Sequence, residues 1–350
     1  MCVASRSLIA CLRIFGSFII LFFAIVEYDN GQCSTNDRTN IMRTLIINNL
    51  SSGLQDGAVY DFMRKLNGDG DELVVRSTNG SANGSTAIES LLADATSFDR
   101  VVAAGGDATI SAVGYALRNS GVPLLPFPAG TGNLIVTNLD QSEEPVALAK
   151  LVRENTTVDY DLGELSFETE EGKQTRGFAV MAGAGYDARI MEDSEKLKGL
   201  LGPMAYLASA ITNPLPTVAH FTITLDDKVL EIDGIAVLVI NFAKIFPDVA
   251  ITHGNDARDG LFEVAVIKSH SAIELLPAVF GAFLDRDGLF PGRADALEVC
   301  LSKTVRVESD PPLAIQFDGE PTGACTPFEA RLLPQACRFV VTEKEHERCS

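Results

Sequence analysis

Between Val101 and Asn133 the chain reads VVAAGGDATISAVGYALRNSGVPLLPFPAGTGN. An unbroken apolar run meets the pair Gly105-Gly106, and one helix-like segment later a second apolar run meets Gly130-Thr131-Gly132-Asn133. Short strands that are apolar throughout are buried on both faces, as in a parallel sheet covered by helices. A glycine turn between such a strand and a helix puts backbone N–H groups and the positive helix end where an anion can sit. Gly105 and Gly106 let a ligand approach the backbone. They leave Asp107 at the C-terminal edge of the sheet, where open α/β sheets bind ligands. In the second turn Thr131 supplies a hydroxyl and Asn133 is placed to cap the following helix. A tight turn in any α/β protein explains either motif alone; two on adjacent units favour a phosphate site.

The flanking pattern agrees. From Met42 onward, apolar periodicity predicts strands over 44–48, 71–77, 101–104 and 122–127. Helices are predicted over 57–66, 85–95, 109–119, 133–139 and 143–153, with a turn at 51–53. That alternation reads as a doubly wound α/β unit. From 158 the pattern changes to strand-like runs at 158–167, 174–181, 219–225, 228–233, 235–241, 261–267, 304–308 and 314–317, punctuated by Gly and Asp-Gly. Helical stretches interrupt them at 200–211 and 273–283. A second domain rich in antiparallel β structure is expected.

Charge narrows the partners. With 28 basic and 47 acidic residues the net charge is -19. No basic footprint for nucleic acid is present at that balance. An anionic bilayer is disfavoured too, so membrane contact needs a local basic or apolar patch. The seven cysteines (2, 11, 33, 300, 325, 337 and 349) show no metal-ligand spacing and accompany only four histidines. Neither a zinc site nor a disulfide framework is indicated, and unpaired thiols point to a reducing compartment. Residues 14–26 form an apolar run behind Arg6 and Arg13 that reads as a signal sequence or a marginal anchor. Alternatively the protein starts at Met42, which opens a strand directly; a native peptide spanning 14–41 in mass spectrometry would sink that reading.

Taken in order, Gly105-Gly106-Asp107-x-Thr109 and Pro128-x-Gly130-Thr131-Gly132-Asn133 resemble the catalytic domain of the diacylglycerol kinase family, which includes sphingosine kinases and bacterial soluble lipid kinases. Further matches are Asn49-Leu50-Ser51-Ser52-Gly53, the blocks 183–190 (GAGYDARI) and 202–206 (GPMAY), and Asp318-Gly319-Glu320. The resemblance covers nearly all of the chain from Met42. It implies an ATP- and magnesium-dependent cytoplasmic kinase with an α/β nucleotide-binding domain over 42–156, completed by 328–345. A sandwich-like β-rich domain over 157–327 would receive the acceptor, with the site in the cleft between them. By the same resemblance Asn49, Ser52, Gly105, Gly106, Thr109 and Thr131 hold ATP, in turns completed by Gly130, Gly132 and Asn133. Asp107 would organise phosphates and magnesium. Glu320 would accept the proton of the attacking hydroxyl with Asp318 beside it, two residues apart on an extended segment. Asp256 and Asp259 would hold a structural cation, although a plain Asp-Gly turn explains them as well.

The acceptor implied is a lipid with a free hydroxyl, such as diacylglycerol, met at a membrane surface; a homodimer is compatible with it. NAD kinases and phosphofructokinases share the Gly-Gly-Asp turn and rank second. A non-catalytic lipid- or nucleotide-binding module is a third reading. Three departures bear on it. Ala108 stands for the third glycine, where a positive φ would strain its Cβ. Leu50 stands for a proline, and Val136-Thr137 occupies the place of a common arginine.

Overall fold

The computed structural model describes residues 41–52, 57–68, 71–78, 85–185, 217–246, 249–252, 255–268 and 297–349, and the backbone of a few residue pairs nearer the N-terminus. The chain divides into two units, Met1–Asn40 and Ile41–Ser350. In the first, Ala10–Cys11 pairs antiparallel with Phe22–Phe23, and Ile14–Phe15 with Phe18–Ile19. Most of the apolar leader, Gly53, the blocks 186–190 and 202–206, and the helices expected at 200–211 and 273–283 lie outside the described residues.

The second unit opens with β1 (Arg43–Asn49), α1 (Ala58–Gly68), β2 (Glu72–Thr78), α2 (Ser85–Leu91), β3 (Arg100–Gly105), α3 (Asp107–Ala116), β4 (Leu124–Pro128), α4 (Leu134–Asn138) and α5 (Pro145–Glu154). Strands β2, β1, β3 and β4 lie side by side and parallel. Their period of two serves both faces. Leu45, Ile47, Val101, Ala103 and Leu124 pack toward Ile110 and Val113 of α3. Ile46, Val102, Ala104, Leu125 and Phe127 pack against Phe62 and Leu66 of α1 and Leu148 and Val152 of α5. Helix α2 stops at Leu91, short of the predicted 95. Arg76 of β2 takes the Leu91 carbonyl and pairs with Asp94, so a side chain satisfies an orphan acceptor of the last turn and ends the helix there.

Then follow β5 (Thr157–Thr169), β6 (Gly172–Phe178), β7 (Met181–Gly185), β8 (Ala219–Leu225), β9 (Lys228–Gly234), β10 (Ala236–Ile240), β11 (Lys244–Phe246), β12 (Val249–Ala250), β13 (Phe262–Ile267), β14 (Leu297–Ser302), β15 (Thr304–Asp310), β16 (Ala314–Phe317), β17 (Glu320–Cys325), β18 (Phe328–Val340) and α6 (Glu343–Cys349). One antiparallel sheet has the order β14-β13-β10-β7-β16-β17. The other is continuous with the parallel sheet: β4 is followed by β18, β15, β8 and β9, while β5 runs beside β18 and β6 beside β5. The two antiparallel faces bury a shared core that includes Phe178, Phe221, Phe262, Phe317 and Phe328. The architecture is therefore a mixed α/β domain with a parallel sheet plus an antiparallel β sandwich.

The run predicted as one strand at 174–181 is two strands. Between Phe178 and Met181 the chain leaves the first sheet for the second, and its backbone N–H groups turn to a buried carboxylate described below. Strands β11, β12, β14, β17 and β18 and helix α6 had no predicted counterpart as elements.

Candidate active site

Strand β3 ends at Gly105, Gly106 continues extended, and α3 begins at Asp107. Asn49, at the end of neighbouring β1, donates from Nδ2 to Thr109 Oγ1 at 2.8 Å and accepts from the Ser51 N–H at 3.0 Å. The Thr109 side chain occupies the space over Gly105, where an added Cβ would lie 2.6 Å from Thr109 Cβ. The second turn packs on the first: a Cβ on Gly130 would fall 2.5 Å from Gly106 Cα. The Thr109 side chain thus fixes glycine at 105, and close backbone approach fixes it at 130.

Asn133 does not cap α4. It adopts a left-handed conformation with φ 51°, and its Oδ1 accepts from the Gly130 N–H at 3.1 Å while Nδ2 donates to Glu143 at 3.2 Å. The cap comes from Asp107, whose Oδ1 accepts from the Ile135 N–H at 2.8 Å. Asn49, Thr109 and Asn133 are thus buried scaffold. Thr131 and Gly132 are exposed; Ser52, Gly106, Asp107 and Gly130 are half-buried. A Cβ on Gly132 would sit 3.3 Å from Asp107 Oδ2, so the glycine keeps that oxygen approachable.

The three departures become ordinary residues here. Ala108 is the second residue of α3, is not among the residues with positive φ, and is buried. Ala108→Gly is expected to lower stability by about 1 kcal/mol in urea unfolding, the usual cost of glycine in a helix; a gain would reveal strain at Ala108. The Leu50 N–H donates to the Thr78 carbonyl at 2.9 Å, a bond proline cannot make. Val136 is buried in the core side of α4.

Asp318 and Gly319 do not lie on an extended segment. They form the two-residue turn between β16 and β17, with φ 44° and 82°, the primed geometry that Asp-Gly favours in hairpins. Oδ1 of Asp318 accepts from the N–H groups of Val180 and Met181, each at 2.9 Å. Oδ2 accepts from the Ala179 N–H at 2.9 Å and from the Ser111 hydroxyl. Burial nevertheless pushes the Asp318 carboxyl up to about 6, against these donors, and nearby Asp107 adds to the rise. Asp107 is raised as well, by burial, with the Ile135 and Leu134 N–H groups opposing. Glu320 opens β17 opposite Phe317 and is half-buried. Four donors thus meet the two carboxylate oxygens of Asp318.

A pH dependence follows. Asp318 rises from 3.8 in the free chain to about 6 when folded. Between those values the folded state binds more protons than the unfolded one, so stability falls as pH rises through roughly 4 to 6. Chemical denaturation across that window should show the decline in the parent protein and a flatter one in Asp318→Asn; equal slopes would contradict the assignment.

The Asp256 and Asp259 loop lies elsewhere, against β5 and the C-terminal helix. Both Asp256 oxygens accept from Arg258, at 2.9 and 3.0 Å, and Arg258 also reaches the Cys349 carbonyl. Asp259 Oδ1 accepts from the Leu261 N–H at 2.8 Å. Buried Asp161 braces the loop by accepting from the Gly260 N–H at 2.9 Å. Among the described residues no group of three or more His, Cys, Asp or Glu is arranged to hold a metal.

Two positioning side chains escaped the sequence reading. Ser111 carries the hydroxyl on Asp318; its spacing of four from Asp107 puts both on one helix face, a signal that was there to use. Asn241, fully buried, donates to the carbonyls of Ala179 at 2.8 Å and Asp161 at 3.0 Å, and so holds the segment that surrounds Asp318. Nothing in its local sequence marks it.

Comparison with known proteins accords with this geometry. The diacylglycerol kinase catalytic domain model matches residues 43–165, and that of the YegS C-terminal NAD kinase beta sandwich-like domain matches 180–341. An uncharacterized protein of Synechocystis is 27% identical over 241 residues, 67% of this chain and 53% of that protein, so the chain spans about half of this relative. A diacylglycerol kinase of Mycobacterium tuberculosis is 26% identical over 254 residues, 69% of this chain and 76% of the relative. A crystal structure of a diacylglycerol kinase from Bacillus anthracis shares the fold with a TM-score of 0.60 at 16% identity, covering 87% of this chain and 97% of that one. The chain belongs to the diacylglycerol kinase catalytic domain family and carries the YegS-type C-terminal β domain.

Proposed function

We propose that this lipid-kinase relative transfers the γ-phosphoryl group of ATP to a hydroxyl of diacylglycerol or a related amphipathic lipid. One observation carries the reading: helix α3 presents Asp107 beside the two glycine turns and, one turn later, holds through Ser111 the hairpin that bears Glu320. A phosphate-binding edge and a proton acceptor are thereby mounted on one rigid element. Such placement is most of what phosphoryl transfer asks of a protein.

In this reading Gly106, Gly130, Thr131 and Gly132 face the nucleotide phosphates, and Asn49, Ser52, Gly105, Thr109 and Asn133 keep the turns in shape. ATP supplies the phosphoryl group, and Asp107, whose Oδ1 meets the Ile135 N–H beside the glycine turns, would help organise its phosphates and magnesium. Glu320 takes the proton of the acceptor hydroxyl as its oxygen bonds to phosphorus and ADP leaves with the electrons of the broken bond. Asp318 remains an anchor. Residues 42–156 with 328–345 would serve the nucleotide and 157–327 the acceptor. No helix among the described residues is long and apolar enough to cross a membrane. The lipid would be met at a membrane surface, and sedimentation of the purified chain distinguishes monomer from homodimer.

Radiolabelled ATP with diacylglycerol and other lipids in mixed micelles, and with NAD in parallel, tests the reading. Label in the lipid extract is the expected result. Label in the dinucleotide alone would give the NAD kinase reading, and nucleotide binding without transfer to any acceptor the non-catalytic module.

A further inference from the structure

We propose that Ser111 is a positioning residue for phosphoryl transfer, its hydroxyl fixing the Asp318 hairpin, and with it Glu320, relative to the helix that carries Asp107. The inference rests on the kinase reading above and adds to it a residue that does not touch the reacting atoms. The geometry is specific. Ser111 is 1% exposed, so its hydroxyl is withdrawn from bulk solvent. It donates to Asp318 Oδ2 and accepts from the Ala179 N–H at 3.1 Å, which itself donates to the same Asp318 oxygen. The other three donors on Asp318 all come from backbone at 179–181, within the sandwich half. Ser111 is the donor that reaches Asp318 from the nucleotide half.

Removing it leaves the hairpin well attached to its own sheet, since β16 pairs with β7 and β17 with β16. What is lost is the tie between hairpin and helix. The carboxylate loses a charge-assisted bond in a buried place, and the Ala179 N–H loses one of its two acceptors. A purely structural serine would affect melting temperature alone. A positioning serine affects turnover and the titration of its partner.

The experiment compares the full-length parent with Ser111→Ala and the isosteric Ser111→Cys, whose thiol is a weaker donor. Thermal unfolding monitors folding, and Cys stands in if the alanine variant does not fold. Turnover is measured with radiolabelled ATP and diacylglycerol micelles. Asp318 is followed by carboxyl carbon NMR in aspartate-labelled protein, its resonance assigned by its absence in Asp318→Asn. We expect kcat to fall about tenfold in Ser111→Ala and less in Ser111→Cys, with KM for ATP within about twofold of the parent. The Asp318 titration should move to higher pH in the same order. An unchanged titration, or unchanged kcat in a folded alanine variant, overturns the proposal alone. Absence of transfer by the parent protein itself overturns the kinase reading, and the positioning role in transfer falls with it, while the titration still shows whether Ser111 governs Asp318.

Discussion

Glu320→Gln is expected to lower turnover in the diacylglycerol assay by about 10²- to 10⁴-fold, the range for loss of a general base. Glutamine keeps the shape and the place opposite Phe317 but cannot take a proton. Strand β17 is the last of its sheet, so the change should leave unfolding temperature near the parent value. KM for ATP should also stay close, because in this reading Glu320 acts on the acceptor hydroxyl and not on the nucleotide. An enzyme that keeps more than about a tenth of its turnover would remove Glu320 from this role. Asp318 would not be its obvious replacement, with Ser111 and three backbone N–H groups already upon it.

Asp71→Ala is expected to destabilise the protein by about 3–5 kcal/mol, the usual result of stranding a buried charge. Arg100 starts β3 and is 0% exposed, and its Nη2 lies 3.1 Å from Asp71 Oδ2. Nε donates to Thr44 Oγ1 at 2.9 Å and Nη1 to the Val152 carbonyl, so the guanidinium ties β1, β3 and α5 together at the end of the sheet opposite the glycine turns. Burial lowers the proton affinity of Arg100 and Asp71 opposes that, which shows how much the cation depends on its partner. Urea unfolding of Asp71→Ala measures the loss. The double change Asp71→Leu with Arg100→Met should recover much of it, since an apolar pair carries no desolvation penalty. A loss below about 1 kcal/mol in the single variant would mean that water reaches Arg100.

Legibility in the sequence followed burial on both faces. The middles of strands β1, β3 and β4, at 45–47, 101–104 and 124–127, are unbroken apolar runs between helices, so they read directly, and the glycine turns followed from them. Strand β18 hid because its alternation breaks at Leu333-Pro334-Gln335. The register shifts there, and Gln335 takes φ 47°, a bulge that admits proline. Strand β17, EPTGAC, looks like a loop because an edge strand can tolerate Pro and Gly. At the site, the types of the residues were legible but their duties were not. Asp107 caps a helix that begins 27 residues later, and Asn133, adjacent to that helix, does not. Asp256 reads as a cation ligand, and its pairing with Arg258, two positions on, was not foreseen.

The last strand has a kinetic meaning. Phe328–Arg331 pairs with β15, while Phe339 lies parallel to Leu124 of β4 and Cys337–Val340 pairs with the start of β5. The parallel sheet is thus completed by a segment more than 200 residues further along the chain. Emerging from a ribosome, the first half has its glycine turns early but lacks its neighbour at β4 until Val340 is free. Folding of this protein is therefore expected to be slow, with a high contact order. The unpaired flank of β4 is what a chaperone would meet in the interval.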